Sequence, residues 1–188
     1  MPITRVNEDE LLDRLTDVFR TYGYEGASLS RISEATGLQR ASLYHRFPGG
    51  KEDMAKAVLE RAGQWLVNRV LAPLSGRGKA ADRIRNMANE LHSFYAGGKN
   101  CCLLDSLSFG SDDNPIRRHV HQGMSAWVEE LAKVVRETGI SPKKARQQAQ
   151  DAISQIQGTL VVARVLKDYG PFERMLSELP TTLLRKPS

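Results

Sequence analysis

The sequence predicts an all-α protein: an N-terminal three-helix helix-turn-helix domain followed by a C-terminal helical domain, about nine helices in all. Three observations carry this. Apolar residues recur at spacings of three and four, as one face of a helix requires. No segment alternates with the period of two that a half-buried strand needs. Glycine, proline and good capping residues fall between the periodic segments, where helices stop and start. With 40% hydrophobic and 26% charged residues among 188, the composition is that of an ordinary globular chain, long enough for one fair-sized core or two modest ones.

The first helix is expected from about Glu8 to Tyr22. Asn7 suits its N-cap, acids fill the first turn, and Leu11, Leu12, Leu15, Val18, Phe19 and Tyr22 form one stripe. Gly23 and Gly26 bracket the exit. Ser28 caps the second helix, which buries Leu29, Ile32 and Ala35 and breaks at Gly37. The third, roughly Gln39 to Arg46, buries Leu43 and Phe47 and ends at Pro48-Gly49-Gly50. The fourth runs from Lys51 to about Leu71 or beyond as a connector, and Pro73 with Ser75-Gly76-Arg77-Gly78 marks the next break.

A fifth helix spans about Ala80 to Tyr95 and stops at Gly97-Gly98; a shorter sixth covers about Cys101 to Phe109. The seventh starts near Asn114-Pro115, with proline at the first helical position, and ends at Gly139. Ser141-Pro142 repeats that start signal for the eighth, which runs to about Tyr169 with Gly170-Pro171 as its stop. The ninth begins near Phe172, and Pro180 should kink or divide it, because an interior proline costs roughly 3 kcal/mol. The expected division is therefore residues 1–50 for the helix-turn-helix domain, 51–72 for the connector and 73–188 for a ligand-binding and dimerisation domain.

Charge narrows the partners. The net charge is +5, yet residues 1–60 hold 8 Lys/Arg against 10 Asp/Glu. Within 31–51, Arg31, Arg40, Arg46 and Lys51 face only Glu34. That local basic cluster points to nucleic acid. Asn7-Glu8-Asp9-Glu10 and Asp13-Arg14 argue against a secretory signal, and Leu160 to Leu166, interrupted by Arg164, is too short to span a bilayer. A cytoplasmic protein with no membrane partner is expected. The two cysteines, adjacent at Cys101-Cys102, are too few for a disulfide framework.

The stretch from Leu29 to Phe47 reads as two short helices around a tight turn. Gly37 permits positive φ there, small Ser33 lets the helices cross closely, and Ile32, Leu38, Leu43 and Phe47 hold the pair together. In such a motif the second helix enters the major groove. Its outward face presents Gln39, Arg40 and Ser42 as candidate base-contacting residues, since arginine pairs with guanine, glutamine with adenine, and serine reads either. Ser28, Tyr44, His45 and Lys51 suit phosphates. Gly49-Gly50-Lys51 offers backbone N–H groups beside an ammonium, a candidate phosphate clamp.

At these residues the chain resembles the tetracycline-repressor (TetR) family. The resemblance runs through Ile32-Ser33-Glu34-Ala35-Thr36-Gly37-Leu38, then Ala41-Ser42-Leu43-Tyr44-His45-Arg46-Phe47-Pro48, then Lys51-Glu52, and covers about residues 7–60. Ser33 and Ala41 stand where alanine and glycine are more usual; both stay small. Gly49-Gly50 is one residue longer than the usual link and resembles the LmrA-like branch. Phe94-Tyr95-Ala96-Gly97-Gly98 and Cys102-Leu103-Leu104 extend the likeness into the second half. The resemblance implies a homodimeric repressor that binds a double-stranded DNA operator through the third helix, touches phosphates with Ser28, Tyr44 and Lys51, and is released by a small-molecule inducer.

In the second half, the eighth and ninth helices carry broad apolar surfaces. Ile153, Ile156, Leu160 and Ala163, with Phe172 and Leu176, are the expected dimer interface, in a four-helix bundle between two subunits. Plain intramolecular core is the other reading of that surface. A ligand pocket is expected among the fourth to eighth helices, with Trp65, Met87, Leu91, Phe94, Tyr95, Leu104, Phe109, Met124 and Trp127 as candidate lining, largely apolar with aromatic walls.

Three alternatives stand beside this reading, one of them an activator or a DNA-binding partner of another protein, since the direction of control depends on where the operator sits. Cys101 and Cys102 would serve a thiol- or electrophile-responsive regulator, although only Lys99 is near to activate them. A helical-bundle enzyme would need a nucleophile with a paired base or a metal constellation, and the sequence presents neither. His119 and His121 are two apart on a helix and diverge. No enzyme activity, cofactor or metal is expected.

Overall fold

Asn7 accepts the Glu10 backbone N–H at 2.8 Å and so starts α1 (Glu8–Gly26), whose first turn carries Glu8, Asp9 and Glu10. Ser28 does the same for α2 (Leu29–Thr36) by accepting the Arg31 N–H at 3.3 Å, and α3 (Arg40–Arg46) follows after one turn. The computed structural model describes residues 6–107 and 115–185. Within them the chain continues as α4 (Lys51–Trp65), a π turn (Leu66–Leu71), α5 (Ala72–Ser75), α6 (Ala80–Phe94), a 3₁₀ turn (Ala96–Gly98), α7 (Leu103–Ser106), α8 (Pro115–Arg136), α9 (Pro142–Leu166) and α10 (Gly170–Leu183). Among the described residues there is no strand, and no helix is long and apolar enough to cross a membrane.

The chain divides into two compact units, one taking in Met1–Ala62 and Leu103–His121, the other Gly63–Cys102 and Gln122–Ser188. In the first, Leu11, Leu15, Val18 and Phe19 of α1 meet Ile32, Leu43, Met54 and Val58, and the same core buries Leu103, Leu107, Ile116 and Val120. That packing differs from the division at residues 50 and 73 which periodicity suggested, because α7 returns to α1. The Ser106 hydroxyl donates to the Arg20 carbonyl at 3.4 Å, and a Cβ at Gly23 would lie 3.2 Å from the Ser106 carbonyl oxygen. Gly23 also sits at φ 65, interrupting α1 where the exit was expected. Tyr22 leaves the expected stripe: it is 46% exposed, with the Arg31 guanidinium 4.4 Å above its ring. Ala35 is likewise exposed, and Thr36 takes the buried place on α2.

In the second unit α10 packs along α6 and α9. Ile84, Met87 and Leu91 meet a core that includes Ile153, Ile156, Leu160, Phe172, Leu176 and Leu179, all buried. Arg83, 7% exposed, pairs with Glu137 and donates to the Leu74 carbonyl at 2.8 Å, tying the end of α5 to the turn after α8.

Three prolines depart from the sequence expectation. The helix does not break at Pro73 but continues to Ser75, because the π turn ahead of it widens the coil: the Ala72 N–H reaches the Val67 carbonyl five residues back, and the proline ring is spared its usual clash. α10 runs through Pro180 to Leu183 undivided, since the proline falls near the C-terminal end and is buried beside Leu179 and Leu183. Gly170-Pro171 opens α10 instead of merely stopping α9, which already ends with Lys167 in the left-handed region at φ 54.

Candidate nucleic-acid interface

The interface is built on the turn between α2 and α3. Gly37 adopts φ 70, ψ 9, a conformation in which a side chain would be strained. Three hydroxyl bonds lock the turn. Ser33 Oγ donates to the Leu38 carbonyl at 2.5 Å, Thr36 Oγ1 donates to the Ile32 carbonyl at 2.7 Å, and Thr36 Oγ1 accepts the Leu38 N–H at 3.3 Å. Arg14, reaching from α1, donates to the Thr36 carbonyl at 2.9 Å and covers an acceptor that the end of α2 leaves open. Periodicity gave Arg14 no role; nothing local in the sequence signals a bond across 22 residues.

The turn orients α3. Leu43 is fully buried, while Gln39, Arg40, Ser42, Tyr44 and His45 are exposed together. Gln39 is the N-cap and makes no side-chain capping bond, which leaves its amide available. Ser28, at the start of α2, is exposed as well. The expected base- and phosphate-contacting residues on α2 and α3 are thus each exposed, with Lys51 half-buried at the start of α4.

The basic cluster is less free than its count suggests. Arg31 donates to the Gly26 carbonyl at 2.7 Å, and Arg46 donates to the Val6 carbonyl at 3.3 Å through both Nη atoms. Lys51 holds its ammonium 4.4 Å over the Tyr24 ring. Burial, then Glu52 and Glu25, raise the Tyr24 phenol above its ordinary value, so the ring beneath that ammonium stays neutral. The expected clamp of unengaged N–H groups at Gly49-Gly50 is corrected. Gly49 N–H donates to Asp53 Oδ2 at 2.6 Å and Gly50 N–H to the Phe47 carbonyl at 2.8 Å.

A fully buried leucine beneath an exposed polar face, on a helix set by a left-handed glycine, is the arrangement that reads a major groove. Comparison with known proteins agrees. The profile for "Bacterial regulatory proteins, tetR family" matches residues 11–58, and that for "Transcriptional regulator LmrA/YxaF-like, C-terminal domain" matches residues 78–178. The chain belongs to the tetR family. This tetR-family regulator is 23% identical over 185 residues to the HTH-type transcriptional regulator LmrA of Bacillus subtilis (strain 168), across 95% of this chain and 97% of that one. Its fold matches a TetR transcriptional regulator from Legionella pneumophila with a TM-score of 0.79 at 22% identity, over 96% of this chain and 99% of the other. It also matches a cysteine mutant of the TetR family transcriptional regulator CifR, complexed with 26bp double-strand operator DNA, with a TM-score of 0.76 at 23% identity over 100% of both chains. The protein is a DNA-binding transcriptional regulator, in a family of regulators and not of enzymes.

In the second half of this tetR-family chain the structure redistributes the expected sites. Ile153, Ile156, Leu160, Ala163, Phe172 and Leu176 are 0–5% exposed within a single chain. Side chains already removed from water have no surface left for a partner, so this set is corrected from interface to core. The opposite side of α9 carries the exposed apolar residues: Val161, Val162, Val165 and Leu166, at 43%, 47%, 74% and 68%.

The candidate pocket lining also separates. Leu104 packs against the first unit's core, and Phe109 lies outside the described residues. Met87, Leu91, Tyr95 and Trp127 are buried in the second unit, where Trp127 Nε1 meets Met87 Sδ at 3.5 Å. Trp65 and Phe94 are half-buried and stack at 3.8 Å, 17° from parallel, and Met124 is half-buried. Among the open grooves that border α10 are two of about 360 Å³ and about 330 Å³. The first includes Gln155, Arg174 and Glu178; the second includes Arg85, His92 and Glu173. Neither is lined by the expected residues. Cys101 and Cys102 are unbridged and only 8% and 4% exposed, which leaves an electrophile little sulfur to reach.

Proposed function

We propose that the protein is a homodimeric repressor that reads a palindromic operator with Gln39, Arg40 and Ser42, contacts phosphates through Ser28, Tyr44, His45 and Lys51, and releases DNA when a small molecule occupies its second unit. The observation that carries the DNA half is the shared exposure of Gln39, Arg40 and Ser42 above a fully buried Leu43. An operator with two half-sites calls for two-fold symmetry in the protein. The exposed Val161, Val162, Val165 and Leu166 supply the apolar face that a second copy would cover. The half-buried Trp65–Phe94 stack supports an inducer with an apolar or aromatic body, and α4, which holds residues of both units, is a covalent route between them. Release then requires that the inducer bind more tightly to a state whose two reading helices are mis-spaced for successive grooves.

The test is binding of the purified protein, beside Arg40→Ala, to the intergenic DNA upstream of its own gene across a salt series. Saturable binding that weakens with salt and falls at least tenfold in the variant supports the reading. One good bidentate contact is worth about 1–3 kcal/mol of discrimination. If neither that DNA nor a pool of random oligonucleotides yields a preferred sequence, the operator-reading role is wrong.

A further inference from the structure

The arginines around the helix-turn-helix fall into two kinds. Arg14, Arg31 and Arg46 each donate to a backbone carbonyl, those of Thr36, Gly26 and Val6, and Arg14 also pairs with Glu10. They act as staples. Arg40 instead donates to a side chain, from Nη2 to the Ser30 hydroxyl at 2.7 Å. Both residues are exposed, one in the first turn of α2 and the other the first residue of α3. Nη1 and Nε of Arg40 make no hydrogen bond among the described residues. A guanidinium has five N–H donors, so one bond to serine leaves the paired donors that guanine requires. Ser28, not Ser30, caps α2, so the Ser30 hydroxyl has no part in starting that helix.

We propose that Ser30 is a positioning residue for base readout: its hydroxyl holds the Arg40 guanidinium in the orientation in which its unpartnered edge meets a guanine. This rests on the DNA-reading role of α3 argued above and adds to it a residue for which the motif alone gave no task. The physical gain is pre-organisation. An unheld arginine side chain must surrender its rotamer freedom on binding, whereas one already bonded has given up part of it. The serine O–H proton remains available to a second acceptor, because the hydroxyl accepts from Arg40 without using its own donor.

The experiment is a selection from double-stranded oligonucleotides with a randomised core, run with the wild type, Ser30→Ala, Ser30→Thr and Arg40→Ala. It is followed by affinities for the selected site and its single-base variants across a salt series. Arg40→Ala identifies the base pair that Arg40 reads. At that base pair Ser30→Ala should lose roughly three- to tenfold of the preference with its salt slope and thermal midpoint unchanged, and Ser30→Thr should restore it. Unchanged preference in Ser30→Ala overturns the proposal. So does uniform weakening with a reduced salt slope, the mark of a lost phosphate contact. Tighter binding to all sequences also overturns it, by showing that the bond withholds Arg40 from DNA. An Arg40→Ala variant with wild-type preferences removes Arg40 from base readout and this inference with it. A wild type that selects no sequence removes the DNA-reading role itself.

Discussion

The α2–α3 turn and the α9–α10 pair are both helix-on-helix packings, but different forces define them. The turn is set by a left-handed glycine and a few short-range hydroxyl bonds, so the inward face of α3 follows from Gly37 within a few residues. In α9 the turns from Ile153 to Leu166 carry apolar residues on opposite sides, with Ile153, Ile156, Leu160 and Ala163 inward and Val161, Val162, Val165 and Leu166 outward. A helix that is apolar nearly all round announces burial without saying which side is buried by its own chain. Local constraint fixes a face; hydrophobicity alone does not.

Phe172→Ala should have the greatest effect. The side chain is fully buried, and Tyr95 meets its ring edge-on at 6.1 Å. Its removal should destabilise the chain by about 3–5 kcal/mol in chemical denaturation. A loss below about 1 kcal/mol would mean that Phe172 is not core and would restore its place at an interface between copies. Gly37→Ala comes next. A Cβ there meets only the Arg14 Nη1 atom, at 3.7 Å, so the cost is conformational, about 1–2 kcal/mol for a left-handed non-glycine residue. Thermal melting reads it, and a variant as stable as the wild type would show that the turn does not depend on the glycine.

Smaller still is Ser33→Ala, which removes the hydroxyl bond to the Leu38 carbonyl. The expected loss is about 1 kcal/mol, the usual worth of a part-buried hydrogen bond. Alanine is otherwise well suited to the site, since it is small and a better helix former. A stability gain would mean that the bond contributes less than the helix propensity that serine gives up.

What could be read from the sequence follows the same divide. Asn7, Ser28 and Gly37 stood out because caps and left-handed turns are decided within a few residues, and α2 and α3 came out within a residue of their observed ends. The exposed α3 face followed from Leu43 alone. Hidden from periodicity was everything decided at a distance. Leu103 and Ile116 join the core of α1, Arg14 covers the end of α2, and Arg31 and Arg46 are occupied by carbonyls instead of standing free. A local count of positive charge cannot tell a staple from a contact. Pro73 misled for a related reason: a proline signals a break only if the helix before it cannot widen, and the π turn at Leu66–Leu71 does widen.

The smallest expected effect on folding separates the two regions most cleanly. Val165 is 74% exposed in the last turn of α9, so Val165→Lys should change the stability of the single chain by no more than about 0.5 kcal/mol. A cation there even suits the C-terminal end of the helix dipole. Across the proposed two-fold axis, however, the same substitution would place two new charges in an apolar face, where each would have to lose its water. Sedimentation should therefore show a dimer for the wild type and a monomer for the variant, with helical content preserved. Operator affinity should fall with it, because a monomer presents one reading helix to a two-half-site operator. A variant that stays dimeric would move the interface away from this face of α9 and leave Val161, Val162 and Leu166 as exposed apolar surface still in need of an occupant.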